Sequence, residues 1–241
     1  MASMLFELRS SPSKGYGLYA LQDIPRGTLI FEEFPLVTIP PKTTDASYLF
    51  EALKKLTAEQ LTTYYGLYFD PQEVGAGDDD KAVPIYRTNC VAMSMDGTGG
   101  SGVFAQYSRI NHSCAPNVAN GHHLSKKLTV HAMRDIEAGE ELTTSYIDIA
   151  QSAEKRAKKL RLWGFDCKCP ICDGKDIAAS SERRERIRSI REAFDIMVEY
   201  DKEPFAPGCE PITPAERLSW AEELVELCKE EGLVGSYLMI A

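Results

Sequence analysis

Three cysteines crowd one short segment, Cys167-Lys168-Cys169-Pro170-Ile171-Cys172. Thiolates at these spacings can converge on a single tetrahedral ion, and zinc is the usual occupant of such a set. Three ligands leave one place to fill. Cys114, in Asn111-His112-Ser113-Cys114, is the candidate, with His131 and the pair His122-His123 as alternatives. Four thiolates leave no open coordination position, so the expected role is structural rather than catalytic. Reduced buried cysteines are the other way to account for such residues, but the close spacing favours metal. Cys90, Cys209 and Cys228 stand apart and read as core or surface thiols.

The elements that must position these residues show a repeated pattern. Ala20-Leu21-Gln22-Asp23-Ile24-Pro25-Arg26-Gly27 is echoed by Ala132-Met133-Arg134-Asp135-Ile136-Glu137-Ala138-Gly139. Each copy reads as a strand, a tight turn at the glycine and a second strand. The pattern implies a β-rich domain of small sheets whose two halves are far apart in sequence. Between them lies a helical insert. Thr57-Ala58-Glu59-Gln60 is a capping box, and a preceding helix is expected from about Ala46 to Leu56. Gly75 to Asp80 and Asp96 to Gly102 read as loops. Pro84 to Met95 and Val103 to Ile110 read as extended. After Tyr146 the pattern turns helical. Ser152 can cap a helix to about Trp163, and Ser181 a second, with Ile187, Ile190, Phe194 and Met197 on one stripe. Thr213-Pro214-Ala215-Glu216 is another capping box, with Leu218, Ala221, Val225 and Cys228 behind it and Gly232 as the stop. The apolar end, Tyr237 to Ala241, reads as a docked terminus or an unfinished helix.

The chain has 241 residues, 44% of them hydrophobic, and a formal net charge of −9. That balance disfavours direct binding to DNA, whose phosphates need Lys and Arg, and suits a basic protein partner. Lys155, Arg156, Lys158, Lys159 and Arg161 form a basic run, expected to be the solvated face of a helix. Met1 to Ser10 lacks a leader pattern, and no stretch reaches the ~18 apolar residues of a membrane span. The expected location is therefore a reducing compartment, nucleus or cytoplasm, with no membrane association.

Four motifs occur in order. They are Lys14-Gly15-Tyr16-Gly17-Leu18-Tyr19-Ala20, Arg109-Ile110-Asn111-His112-Ser113-Cys114-Ala115-Pro116-Asn117, Glu140-Glu141-Leu142-Thr143-Thr144-Ser145-Tyr146, and Trp163-Gly164-Phe165-Asp166-Cys167-Lys168-Cys169-Pro170-Ile171-Cys172. Together they resemble the cofactor loop, central signature, tyrosine strand and post-SET zinc segment of SET-domain proteins. The resemblance extends to the SET-and-MYND branch and related fungal SET proteins. No MYND finger is expected, because residues 31–86 contain neither Cys nor His.

The resemblance implies S-adenosylmethionine as cofactor and a protein lysine as substrate, a basic histone tail included. It places the catalytic hydroxyl on Tyr146, near the transferring methyl. It assigns cofactor contacts to Lys14, Gly15, Tyr16, Asn111, His112 and Tyr146, with Trp163 and Phe165 covering the adenine and the channel mouth. Asn89, in Arg87-Thr88-Asn89-Cys90, matches more loosely, since Val91 stands where the family has an aromatic. In that branch the cysteine of the central signature joins the three post-SET cysteines around zinc, which favours Cys114.

The expected fold is mainly β, with SET-domain β-clip-like small sheets and inserted helices, a post-SET zinc segment and a helical C-terminal region. The boundaries are 1–149 for the SET domain with an insert at about 40–85, 150–175 for the zinc segment, and 176–241 for the helices. The leading function is protein-lysine methylation by a monomer. The alternative is a SET-like module that has lost catalysis and recruits protein partners. Retention of Tyr146, Asn111 and His112 argues for the enzyme.

Overall fold

A computed structural model describes residues 4–11, 14–43, 45–70, 79–94, 99–122, 127–200 and 212–233. The chain divides into two compact units. One comprises Met1–His112 and Pro116–Thr144, the other Ser113–Ala115 and Ser145–Ala241.

The first unit is built from short strands. β1 (Phe6–Ser11) and β2 (Gly15–Ala20) form an antiparallel hairpin. β3 (Leu29–Glu33), β8 (Val118–His122) and β9 (Leu128–Ala132) form a sheet in the order β3-β9-β8. Along β9, Leu128, Val130 and Ala132 are buried while Thr129 and His131 are partly exposed, the period of two expected of a half-buried strand. β4 (Val37–Ile39), β5 (Val91–Ala92) and β6 (Ser101–Val103) make a third sheet, with β6 central. β7 (Asn111–His112) and β10 (Thr143–Thr144) pair in parallel, Asn111 opposite Thr143 and His112 opposite Thr144. One core gathers Leu18, Ile24, Ile30, Phe104, Ile110 and Leu142.

The insert carries α1 (Ser47–Leu53), α2 (Ala58–Tyr65) and α3 (Asp79–Asn89). α1 is shorter than the sequence suggests. α2 starts at the expected capping box, with Thr57 and Gln60 bonded reciprocally. α3 corrects the reading of Pro84 onward as extended. Pro84 lies inside this helix and costs it a backbone bond, but Ala82 and Ile85 are fully buried against α1 and α2. That burial outweighs the local penalty. Val103 to Ile110 is not extended either, because Tyr107–Arg109 form a turn of 3-10 helix. The Glu33 carboxylate accepts the backbone N–H groups of Gln106 and Tyr107, the latter at 2.7 Å, and so caps that turn.

In the second unit, α4 (Ala153–Leu160) begins at the expected Ser152 cap and passes into a 3-10 turn, Arg161–Trp163. α5 (Ile177–Tyr200) starts earlier than the sequence suggests. Ser181 is not its cap. Its hydroxyl donates to Ile177 O and accepts the backbone N–H of Ala153 in α4. α6 (Pro214–Glu230) opens on the Thr213–Glu216 capping box. Leu224 and Cys228 form its buried stripe, whereas Leu218, expected inside, is exposed. Gly232 follows in the left-handed conformation. Arg184 is wholly buried and pairs with buried Glu231 at 2.6 Å, which pins α5 to the end of α6. The expectations for Gly75 to Asp78, for Asp96 to Thr98 and for Tyr237 to Ala241 lie outside the described residues. Among the described residues no helix is long and apolar enough to cross a membrane.

Candidate functional site

In the first unit a polar knot forms around Glu141. Its carboxylate accepts from Ser11 Oγ at 3.0 Å, Lys14 Nζ at 2.9 Å and Asn111 Nδ2 at 2.7 Å. Asn111 Nδ2 also donates to the Tyr16 carbonyl at 3.1 Å. The Asn111 side-chain amide thereby ties the start of β2 to Glu141. The glycines of this loop are needed in different ways. Gly15 has φ +77°, a left-handed conformation that side chains resist. At Gly17 a Cβ would lie 2.6 Å from Glu141 Oε1 and 2.9 Å from Asn111 Nδ2. Lys14, Gly15, Tyr16 and Asn111 are thus brought together, with the Tyr16 ring exposed. His112 is buried beside Asn111, and β7 holds both against β10.

Asn117 completes the knot's frame. It donates to Glu140 Oε1 and the Glu141 carbonyl, and accepts the backbone N–H of Thr143 at 2.7 Å. Asn89 is placed differently. It sits at the end of α3 and donates to Tyr68 O and Ile85 O, both backbone carbonyls of the insert. Glu141 and Asn117 fall within the motifs but are not among the site residues that the sequence suggests. Their partners come from segments as far as 130 positions away, so no local spacing announces them.

In the second unit Tyr146 meets the two aromatic candidates. Its ring centroid lies 5.9 Å from that of Trp163 and 6.4 Å from that of Phe165, the latter edge-on. Gly164, between them, has φ +75° and turns the chain so that both rings reach Tyr146. All three side chains are partly buried.

The cysteines of this unit converge. The Sγ atoms of Cys114, Cys167, Cys169 and Cys172 all lie within 4.8 Å of one another, with Cys172 and Cys114 at 3.5 Å. Sulfurs bound to zinc at about 2.3 Å in a tetrahedron stand roughly 3.8 Å apart. The four thiols therefore fit one such ion. The knuckle is shaped by Cys172 N donating to Cys169 O at 2.9 Å. It is closed by Gly174, where a Cβ would stand 2.4 Å from Pro170 O. Hydrogen bonding from its neighbours, Cys114 first, pulls the Cys172 thiol down to about 6 and lowers Cys169, while the same crowding pushes Cys114 up. Four thiolates at this spacing would need a cation. Of the alternative ligands, His131 lies in the first unit within β9, and the His122 and His123 side chains fall outside the described residues.

Arg156 corrects another expectation. It belongs to the basic run, and Lys155, Lys158, Lys159 and Arg161 are exposed as anticipated, but Arg156 is 0% exposed. It donates to Gln151 O at 2.5 Å and to Cys172 Sγ at 3.8 Å.

Residues 15–147 match the SET domain model. The chain belongs to the SET-domain family. It is similar to Histone-lysine N-methyltransferase set5 of Schizosaccharomyces pombe, 34% identical over 242 residues that cover 98% of this chain and 69% of that protein. It is 30% identical to N-lysine methyltransferase SMYD2 of Homo sapiens over 67% of this chain and 38% of that protein. Against Histone-lysine N-methyltransferase SMYD3 of Homo sapiens the identity is 44%, over 32% of this chain and 18% of that protein. The SET match begins at Gly15 and ends just past Tyr146, so it contains Tyr16, Asn111 and Glu141 but not Ser11 or Lys14, and it stops before the cysteine segment.

Proposed function

We propose that the chain is an S-adenosylmethionine-dependent protein-lysine N-methyltransferase with a structural zinc site, acting in the nucleus or cytoplasm on a basic protein segment such as a histone tail. The observation that carries this reading is the Asn111 amide, which bridges the Tyr16 carbonyl and the Glu141 carboxylate inside the SET match. It ties the glycine loop to the central signature in a polar frame suited to an amino-acid-bearing ligand.

S-Adenosylmethionine, when bound, supplies a methyl group on a positively charged sulfonium that an amine can attack. The chain's own residues supply the rest. Lys14, Gly15, Tyr16, Asn89, Asn111 and His112 are proposed to hold the cofactor. Tyr146 is proposed to orient the lysine amine through its hydroxyl. Trp163 and Phe165 pack on Tyr146 and are proposed to exclude water from the reacting groups. A lysine ordinarily titrates near pH ~10.4; in such an apolar setting its charged form is disfavoured and the free amine becomes accessible. Alignment and desolvation then supply most of the acceleration. Cys114, Cys167, Cys169 and Cys172 would hold the zinc, which leaves no position for substrate and acts on structure alone.

The test is transfer of a labelled methyl group to an array of lysine peptides, with binding of S-adenosylhomocysteine measured in parallel. Labelled lysine is expected. Cofactor binding without any labelled peptide would favour a recruiting module, and absence of both would remove the proposal.

A further inference from the structure

We propose that Arg156 is the counter-cation of the four-cysteine cluster, and that its contact with Cys172 shields that thiolate from electrophiles. The proposal rests on zinc occupying the cluster, and goes beyond the ligand set.

Arg156 shares α4 with three lysines, yet it alone among these cations turns inward, beside fully buried Leu160. A buried guanidinium without a counter-charge is strongly unfavourable. The second unit's other wholly buried arginine, Arg184, has one in Glu231. Arg156 has no carboxylate partner among the described residues. Its Nη1 is satisfied by the Gln151 carbonyl, its Nε has no partner, and its Nη2 points at Cys172 Sγ. Among the described residues, the anionic groups it faces are thiolates.

Zinc with four thiolates is doubly negative overall. One fixed cation against it offsets half of that charge. The cluster thus accounts for the buried arginine, and the arginine for how a doubly negative group is tolerated there. The charge also sits on one particular sulfur. For a sulfur already ionised by zinc, nucleophilicity falls as charge is withdrawn from it, and an N–H donor with full positive charge withdraws it. Cys172 is partly exposed, so a small electrophile can reach it and the shielding matters. Arg184 donates to the Cys114 carbonyl at 2.9 Å and so fixes a ligand backbone rather than a ligand charge.

The test compares zinc-loaded parent with Arg156→Met and Arg156→Gln under N-ethylmaleimide. The Cys172 sulfur adds to the alkene carbon, the neighbouring carbon takes a proton from water, and the Zn–S bond breaks. Released zinc is read with a chromogenic chelator and the modified cysteines by mass spectrometry. Removing one charge-assisted hydrogen bond should speed release about ten-fold, with Cys172 modified first. Cys228, fully buried in the same unit, reports loss of folding and should stay unlabelled. A zinc-bearing neutral variant that releases metal at the parent's rate overturns the role of Arg156. A parent without zinc overturns it together with the metal site, so the two failures are distinct. Should both neutral variants label at Cys228, the cobalt(II) form of Arg156→Lys decides. Loss of the planar N–H to sulfur contact moves the thiolate-to-cobalt absorption to longer wavelength, and an unmoved band overturns the proposal.

Discussion

Ile24 and Ile136 exchange both backbone hydrogen bonds, at 2.8 and 3.0 Å, and each side chain is 1% exposed. They are equivalent positions of the repeated motif, and the pairing is close to symmetric around them. Gly27 N donates to Ala132 O as Gly139 N donates to Ala20 O, both at 2.8 Å. Asp135 accepts Arg26 N as Asp23 accepts Ala138 N. The two halves of the first unit are thus clasped through identical turns. Ile136→Ala should cost about 2–5 kcal/mol through the cavity it leaves. Asp135→Ala, which orphans one N–H at the surface, should cost about 1 kcal/mol. Urea unfolding followed by circular dichroism measures both, and near-equal losses would mean that the clasp is held by its turns rather than by its core.

The parts of this fold legible in the sequence are those whose causes are local. The Thr57 and Thr213 capping boxes close within three residues, and the Ser152 cap likewise. The cysteine trio and the two Asp-Ile turns needed only short spacing. What escaped has its cause elsewhere in the chain. α3 survives Pro84 because of burial against other helices. The turn at Tyr107 is capped by Glu33, which lies 74 positions away. Arg156 is buried with its Nη2 against Cys172, 16 positions away in a segment that no local pattern connects to it. The Glu141 knot is assembled from three separate segments, and a single sequence carries no mark of that convergence.

The knot yields a graded series at the proposed cofactor site. Gly17→Ala places a Cβ against both Glu141 and Asn111 and should displace the loop. Asn111→Ala removes the tie to Tyr16 and Glu141 at once. Each should weaken binding of S-adenosylhomocysteine by about 1–3 kcal/mol. Glu141→Gln keeps the shape but converts an acceptor of three bonds into a weaker one, and should lose less. Calorimetric titration gives the order. Unchanged affinity in Asn111→Ala would place the cofactor elsewhere.

Tyr146→Phe isolates one oxygen atom. The ring keeps its packing on Trp163 and Phe165, so stability and cofactor affinity should hold. Turnover should fall by ~10²–10³, the usual weight of a single polar group at the reacting atoms. Steady-state kinetics on a verified peptide decide the matter, and full activity would remove the hydroxyl from the mechanism.

Glu231 gives the second unit a defined acid sensitivity. Burial raises its pKa, but hydrogen bonds from Ser180, Arg184 and Arg183 outweigh that and hold the carboxyl below its usual range. A carboxyl depressed in the folded state adds stability above its unfolded pKa of ~4.3. That contribution is lost as pH falls through the lower folded value. The stability difference between parent and Glu231→Gln should therefore be constant near neutrality and shrink below about pH 4.3. Thermal unfolding at stepped pH measures it, and a difference that persists in acid would show that the pair with Arg184 is held by shape rather than charge.

Removal of the metal should reach the aromatic residues before it reaches the β-sheets. Cys114 belongs to the short segment Ser113–Ala115, which leaves the strand-rich unit and is grouped with the helical one. Cys167 follows Phe165 by two residues, and Phe165 and Trp163 both pack on Tyr146. Zinc on Cys114, Cys167, Cys169 and Cys172 would tie these stretches across a long loop, and without it the loop regains chain entropy. Chelation, or Cys169→Ser, should release the zinc, change Trp163 fluorescence and weaken S-adenosylhomocysteine binding. The clasp of Ile24 and Ile136 uses none of those residues, so the strand signal in circular dichroism should persist to higher temperature. Metal content, cofactor affinity and unfolding are to be read on one stripped sample. Full cofactor affinity after complete loss of metal would separate the two sites, and simultaneous loss of the strand signal would make zinc a requirement of the whole fold.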